Sequence, residues 1–173
     1  MTGPGLDRPA NEWPVASLDP IGRAKVLAAS IPSAAFHLGV IDAPYEAVWS
    51  HAIDFENFTP QFDSQVDRVV IHNRAEEGDV THLRMTATSH GISLPFRVRI
   101  EDGFCMMRGQ ARLYLVVMAA VPEDGGARTR FLHMEAIPRP GAGQFRRSIQ
   151  REVDSDFSNL KRLAESGFPE CPA

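Results

Sequence analysis

The 173-residue sequence predicts an α+β fold in which a curved antiparallel sheet of six to seven strands wraps around one long C-terminal helix. Three observations predict it. Strand-like segments follow one another from residue 66 to 137 with only turn chemistry between them, whereas parallel neighbours would need crossovers of a dozen or more residues. The stretch GAGQFRRSIQREVDSDFSNLKRLAESGF places Phe145, Ile149, Val153, Phe157, Leu160, Leu163 and Ala164 on one helical stripe, with Gly167 as its stop signal. Ahead of the strand run stand one further strand and two short helical pieces.

Met1 to Pro14 carries prolines and glycines and no period, so it is expected to be loose. LDPIGRAKVLAAS then predicts a short helix, with Asp19 as N-cap, Pro20 at the first helical position, and Ile21, Ala24, Val26 and Leu27 as its apolar groups. Residues 1–32 are thus an N-terminal extension, 33–168 the main domain and 169–173 a tail. From Ser33 to Asp42 a strand alternates Phe36, Leu38 and Val40 against His37, Gly39 and Ile41. Pro44 and Glu46 suit the first turn of a helix on which Tyr45, Val48, Trp49 and Ala52 recur at helical spacing. A second helical piece carries Phe55, Phe58 and Phe62, limited by Pro60. The strands that follow are punctuated by Glu77-Gly78, His90-Gly91, Asp102-Gly103, a bend near Gly109 and Asp124-Gly125-Gly126.

Composition removes several function classes. Hydrophobic residues at 43% and charged residues at 23% give a chain that can fold, and the formal net charge of -4 gives no general electrostatic reason to bind nucleic acid or an anionic membrane. Cys105 and Cys171 are too few for a disulfide framework and fit a reducing cytoplasm. The first thirty residues lack the features of a signal peptide, and no run approaches the roughly 18 apolar residues a membrane helix requires. The expectation is a cytoplasmic protein with no integral membrane contact.

The segment VIDAPYEAVWSHAIDFENFTPQF resembles the helix-grip superfamily (SRPBCC), which includes START lipid-transfer domains, the birch pollen allergen type and bacterial polyketide cyclase/dehydrase-like proteins. The likeness rests on a strand ending in Ile41-Asp42-Ala43-Pro44, then Glu46-Ala47-Val48-Trp49 and an aromatic second helix, and it extends from Ser33 to about Glu165. It implies a helix-grip fold and a cavity between sheet and C-terminal helix that takes a small hydrophobic, aromatic or polyketide-like molecule. In cyclase-like members it implies acid/base cyclisation or dehydration with no cofactor. Because the superfamily also holds non-catalytic lipid carriers and sensors, that reading stays open beside the enzymatic one, and a dimerising interaction module is a third.

Strand alternation proposes the ligand-binding wall. Leu83 and Met85, then Leu94, Phe96 and Val98, point one way, with Met118 and Met134 continuing a soft, adaptable surface. Trp49, Phe58 and Phe62 close it from below, and Phe145, Ile149 and Val153 from the C-terminal helix. LYLVVMAAV is apolar on both faces, so either the extension carrying Trp13, Val15, Ile21 and Leu27 or a second subunit, as in a homodimer, covers its outer side.

The catalytic candidates are Asp156 and Tyr114. On a helical wheel Asp156 falls inside the apolar stripe, where an ionisable group acquires a shifted pKa or anchors a ligand's polar end. Tyr114 and Tyr45 are candidate donors within the cavity, and Arg108 and Arg112 candidate partners for a carboxylate or enolate. His133 and Glu135 share a strand face and compose a base with its orienting acid, but Leu132, Met134 and Ala136 form the better inward set, so the pair is expected to face solvent. The six histidines show no metal-ligand spacing, so no metal is expected.

Overall fold

A computed structural model describes residues 17–167. Seven strands form one sheet: β1 (Ala35–Ile41), β2 (Arg68–Glu77), β3 (Val80–Ser89), β4 (Ile92–Glu101), β5 (Phe104–Gly109), β6 (Leu115–Glu123) and β7 (Arg128–Ala136). Their order is β1-β7-β6-β5-β4-β3-β2 and every neighbouring pair is antiparallel. The first strand thus joins the last, and the five between form a meander, as short turns between successive strands require. The helices are α1 (Pro20–Ser30), α2 (Tyr45–Ala52), α3 (Thr59–Phe62) and α4 (Arg146–Glu165). Together they make the α+β helix-grip architecture.

The inner face of the sheet packs on α4 through β1 and β7, and α3 supports the same helix from the side. Phe157 of α4 lies against β1, stacked on His37 with ring centroids 4.1 Å apart. A Cβ at Gly39 would come within 2.6 Å of the Phe157 ring, so this strand position must be glycine for the helix to seat as it does. His37 Nδ1 lies 2.8 Å from Asp154 Oδ1, and Lys161 Nζ donates to the Val40 carbonyl at 2.6 Å. The rings of the second helical region are core: Phe55, Phe58 and Phe62 are buried, as are Val48 and Trp49 of α2.

The outer face divides in two. Over β6 and β7 it is apolar, and α1 lies across it with Ile21 and Ala24 buried against Leu115, Val117, Leu132 and Met134. Asp19 caps α1, its Oδ1 accepting from Gly22 N at 2.6 Å, and Pro20 opens the helix. Arg23 then fixes it to the sheet, donating to both carboxylate oxygens of Glu101 at 2.8 and 3.0 Å while its guanidinium sits 4.0 Å from the Phe104 ring centroid. This covering explains why LYLVVMAAV is apolar on both sides. Trp13 and Val15, the loose segment Met1–Pro14 and the tail 169–173 lie outside the described residues. Phe104 and Met106 of β5 pack into the same α1 cluster, whereas over β3, β4 and the Arg108 end of β5 no described residue covers the outer face, which carries charged side chains.

No helix among the described residues is long and apolar enough to cross a membrane.

Candidate functional site

The curve of the sheet and the line of α4 leave a cavity of about 240 Å³. Its walls are apolar: Phe55 and Phe62 below, Met85, Leu94 and Phe96 from β3 and β4, and Met107, Val116 and Met118 from β5 and β6. Alternation along these strands sends every second side chain inward, which is why apolar residues recur there at period two.

One end of the cavity is polar. Two successive inward positions of β7 supply His133 and Glu135, residue-level exposure 3% each. Successive turns of α4 supply Glu152 and Asp156, four residues apart and so on one face, with Asp156 only 2% exposed. Asp63, the residue closing α3, lines the same end. Tyr114 enters from the segment before β6, held by its carbonyl accepting from Gly109 N at 2.8 Å.

Three of these groups form a connected chain. The Tyr114 hydroxyl donates to Glu135 Oε2, and Glu135 Oε1 lies 3.0 Å from His133 Nε2. No buried side-chain nitrogen or oxygen among the described residues lacks a hydrogen-bond partner, so the polar end is ordered rather than frustrated.

Its electrostatics are one-sided, because among the described residues the lining holds four carboxyl groups and one imidazole but no lysine or arginine. Burial, reinforced by Asp63, pushes Asp156 up to about 8. Burial and then Glu135 raise Asp63, and the same two causes in the same order raise Glu152. For His133 burial works downward, but the Glu135 hydrogen bond and charge, with Asp156 and Asp63 behind them, outweigh it and leave the imidazole raised. Tyr114 is raised by burial first and the Glu135 charge second, which keeps it a neutral donor. Such an end holds both proton donors and proton acceptors near neutral pH. One ligand atom each from His133, Glu135 and Asp156 lies within 4.8 Å of the others, so these three are the described residues able to hold a metal ion. No sequence spacing revealed this set, since the third member comes from another element.

Among the residues singled out from the sequence, Asp156, Tyr114, Phe62, Met85, Leu94, Phe96 and Met118 line the cavity. Trp49, Leu83 and Val98 are buried in the same core without lining it, and Phe58 is buried but also stands off the cavity. Ile149 and Val153 pack on Ala35 in a separate small cluster. Phe145 is 47% exposed, because it sits in a 3₁₀ turn before α4 begins and escapes the stripe. Met134 faces α1 on the other side of the sheet. Tyr45 donates to Asp102 Oδ1 at 2.6 Å away from the cavity, and Arg108 is exposed on the outer face.

The orientation of β7 is a correction. His133 and Glu135 face the cavity, and Leu132, Met134 and Ala136 face outward under α1. The expectation failed because a strand covered on both sides has two apolar faces, and the α1-facing set is the more apolar. Phe131, buried and two residues before His133, is the signal that fixes the true parity. Asp63 and Glu152 were not singled out from the sequence, since nothing local distinguishes them from solvated acids.

No protein-family model matches the chain, and no curated protein matches its sequence. Solved structures do match. The Zhui aromatase/cyclase from Streptomyces sp. R1128 superposes with a TM-score of 0.53 at 15% identity, covering 76% of this chain and 93% of that one. The di-domain aromatase/cyclase StfQ from the steffimycin biosynthetic pathway gives 0.52 at 12% identity, covering 84% of this chain and 54% of its own. An 18 kDa protein from Caulobacter crescentus gives 0.61 at 14% identity, covering 77% and 96%. At these identities the likeness establishes a shared helix-grip fold.

Proposed function

We propose that the chain binds a small hydrophobic molecule, aromatic or polyketide-like, beneath α4 and transfers protons at its polar end, the elementary step of acid/base cyclisation or dehydration. The observation that carries this is convergence: Tyr114, the β7 pair His133 and Glu135, and Asp156 of α4 meet at one end of a largely apolar cavity, although they come from three separate segments of the chain. A carrier needs only a lining, whereas paired donors and acceptors meeting at one end are what proton transfer requires. The two aromatase/cyclases of like fold point the same way.

In this reading the apolar walls align the ligand and leave its oxygen against the polar end. Asp156, with its pKa near 8, keeps a proton at neutral pH and gives it to a carbonyl oxygen. The carboxyls cannot all ionise together, so while Asp156 is protonated a neighbouring carboxylate is free to take the proton from the adjacent carbon, yielding the enol. Tyr114 and His133 fix Glu135 from two sides and so position it.

The test uses benzoylacetone, a small aromatic β-diketone, with exchange of its methylene protons in D₂O followed by NMR. Wild-type protein is expected to accelerate exchange about a hundredfold over buffer, with Asp156→Asn and Tyr114→Phe losing most of that gain. Competition by the neutral dye N-phenyl-1-naphthylamine places the event in the cavity. Binding of both compounds without exchange would transfer the chain to the carrier class, and absence of binding and exchange alike would end the proposal.

A further inference from the structure

The part of the outer face that no described residue covers carries a row of arginines that the cavity reading leaves unused. Strand register sets Arg84 of β3 directly opposite Arg97 of β4, and Arg97 directly opposite Arg108 of β5. All three are exposed, and among the described residues none has an ion-pair or hydrogen-bond partner. Like charges placed directly across a sheet repel. Several other arginines are matched with acids: Arg99 and Arg23 with Glu101, Arg74 with Glu76, Arg128 with Asp42 and Asp124. In a chain of net charge -4, what sets these three apart is their alignment directly across three neighbouring strands.

They also share a concavity. Arg84, Arg97 and Arg108 line a surface hollow of about 540 Å³, walled on one side by Gly109, Gln110 and Ala111 and reached by His72. We propose that this hollow is a binding site for a diphosphate ester, held by the three guanidinium groups on the outer face of β3, β4 and β5.

Size and charge select that class. Strands lie about 4.8 Å apart, so three arginine stems span roughly 10 Å, more than a single phosphate needs and suited to two linked ones. Each planar guanidinium presents a fork that matches phosphate oxygens in pairs. A flat anionic bilayer fits less well, because the arginines lie in a hollow and the net charge of the whole chain is negative. The site stands on the opposite face of the sheet from the cavity, so the proposal is independent of the cavity's chemistry.

The experiment is calorimetric titration of the full chain with inorganic pyrophosphate, orthophosphate and sodium chloride at matched ionic strength, together with thermal melts. Pyrophosphate is expected to bind at least about tenfold more tightly than orthophosphate, and Arg97→Gln to weaken it about tenfold or more. Because Arg97 is repelled from both sides, the same variant is expected to melt higher than wild type in low salt without ligand. Arg97→Lys keeps the charge and loses the fork, so it should bind pyrophosphate less tightly than wild type. Pyrophosphate binding no stronger than an equal ionic strength of chloride, or unchanged in Arg97→Gln, would overturn the proposal. So would binding to phosphatidylglycerol vesicles, titrated in parallel, without binding of pyrophosphate.

Discussion

Asp156 sits at 2% exposure among other carboxyl groups, and its environment is hostile to a second negative charge. Its pKa of about 8, against an ordinary 3.8, links ionisation to folding. Since the folded state holds this proton more tightly than the unfolded chain, the contribution is fully present below about pH 3.8 and is lost as pH rises to about 8. Asp156→Asn removes the ionisation while keeping a similar shape. Urea titrations at pH 5 and pH 8.5 should show wild type losing stability between the two, and the variant losing on the order of 1 kcal/mol less or better. Equal losses in both proteins would mean that Asp156 ionises freely. His133 and Glu135, joined at 3.0 Å, explain why the change must be read through Asp156: they are coupled to each other and to Tyr114, so removing either leaves a buried partner unmet.

Helix α1 is held by different means at its two faces. Ile21 and Ala24 bury apolar surface on β6 and β7, and Arg23 grips Glu101 with two hydrogen bonds. Those bonds, then Arg99, hold the Glu101 carboxyl down to about 2. A depressed carboxyl stabilises the fold above its unfolded pKa and ceases to do so as pH falls through the folded value. Because the Arg23 side chain is 37% exposed, solvent screening reduces the pair to about 1 kcal/mol. Arg23→Ala should therefore cost about that much in denaturant titrations at pH 7 and little at pH 2. A loss of equal size at both pH values would assign the residue to packing over Phe104 instead. The β4 and β5 strands that carry Glu101 and Phe104 also bear the arginine row, so the acid partners on this face are spent at the α1 end and none reaches Arg97.

Across the molecule, the pairing that completes the sheet joins β1 to β7, from opposite ends of the domain, with Ala35 opposite Glu135 and Ile41 opposite Thr129. Contacts so distant in sequence slow folding, so refolding is expected over about milliseconds to seconds rather than microseconds, measurable by stopped-flow fluorescence of Trp49. Microsecond refolding would show that the β1–β7 closure is not part of the rate-limiting step. Local pattern was enough to read the elements: the period-two run, the glycine turns and the apolar stripe of α4 are enforced by backbone geometry that each segment carries within itself. Asp156 was legible for the same reason, since a helical wheel needs no partner. The orientation of β7, the meeting of Asp63 and Glu152 with His133, and the alignment of Arg84, Arg97 and Arg108 were not legible. Each depends on which distant segment lies alongside, and that is settled by packing, with α1 making one face of β7 apolar and strand register setting three separate arginines side by side.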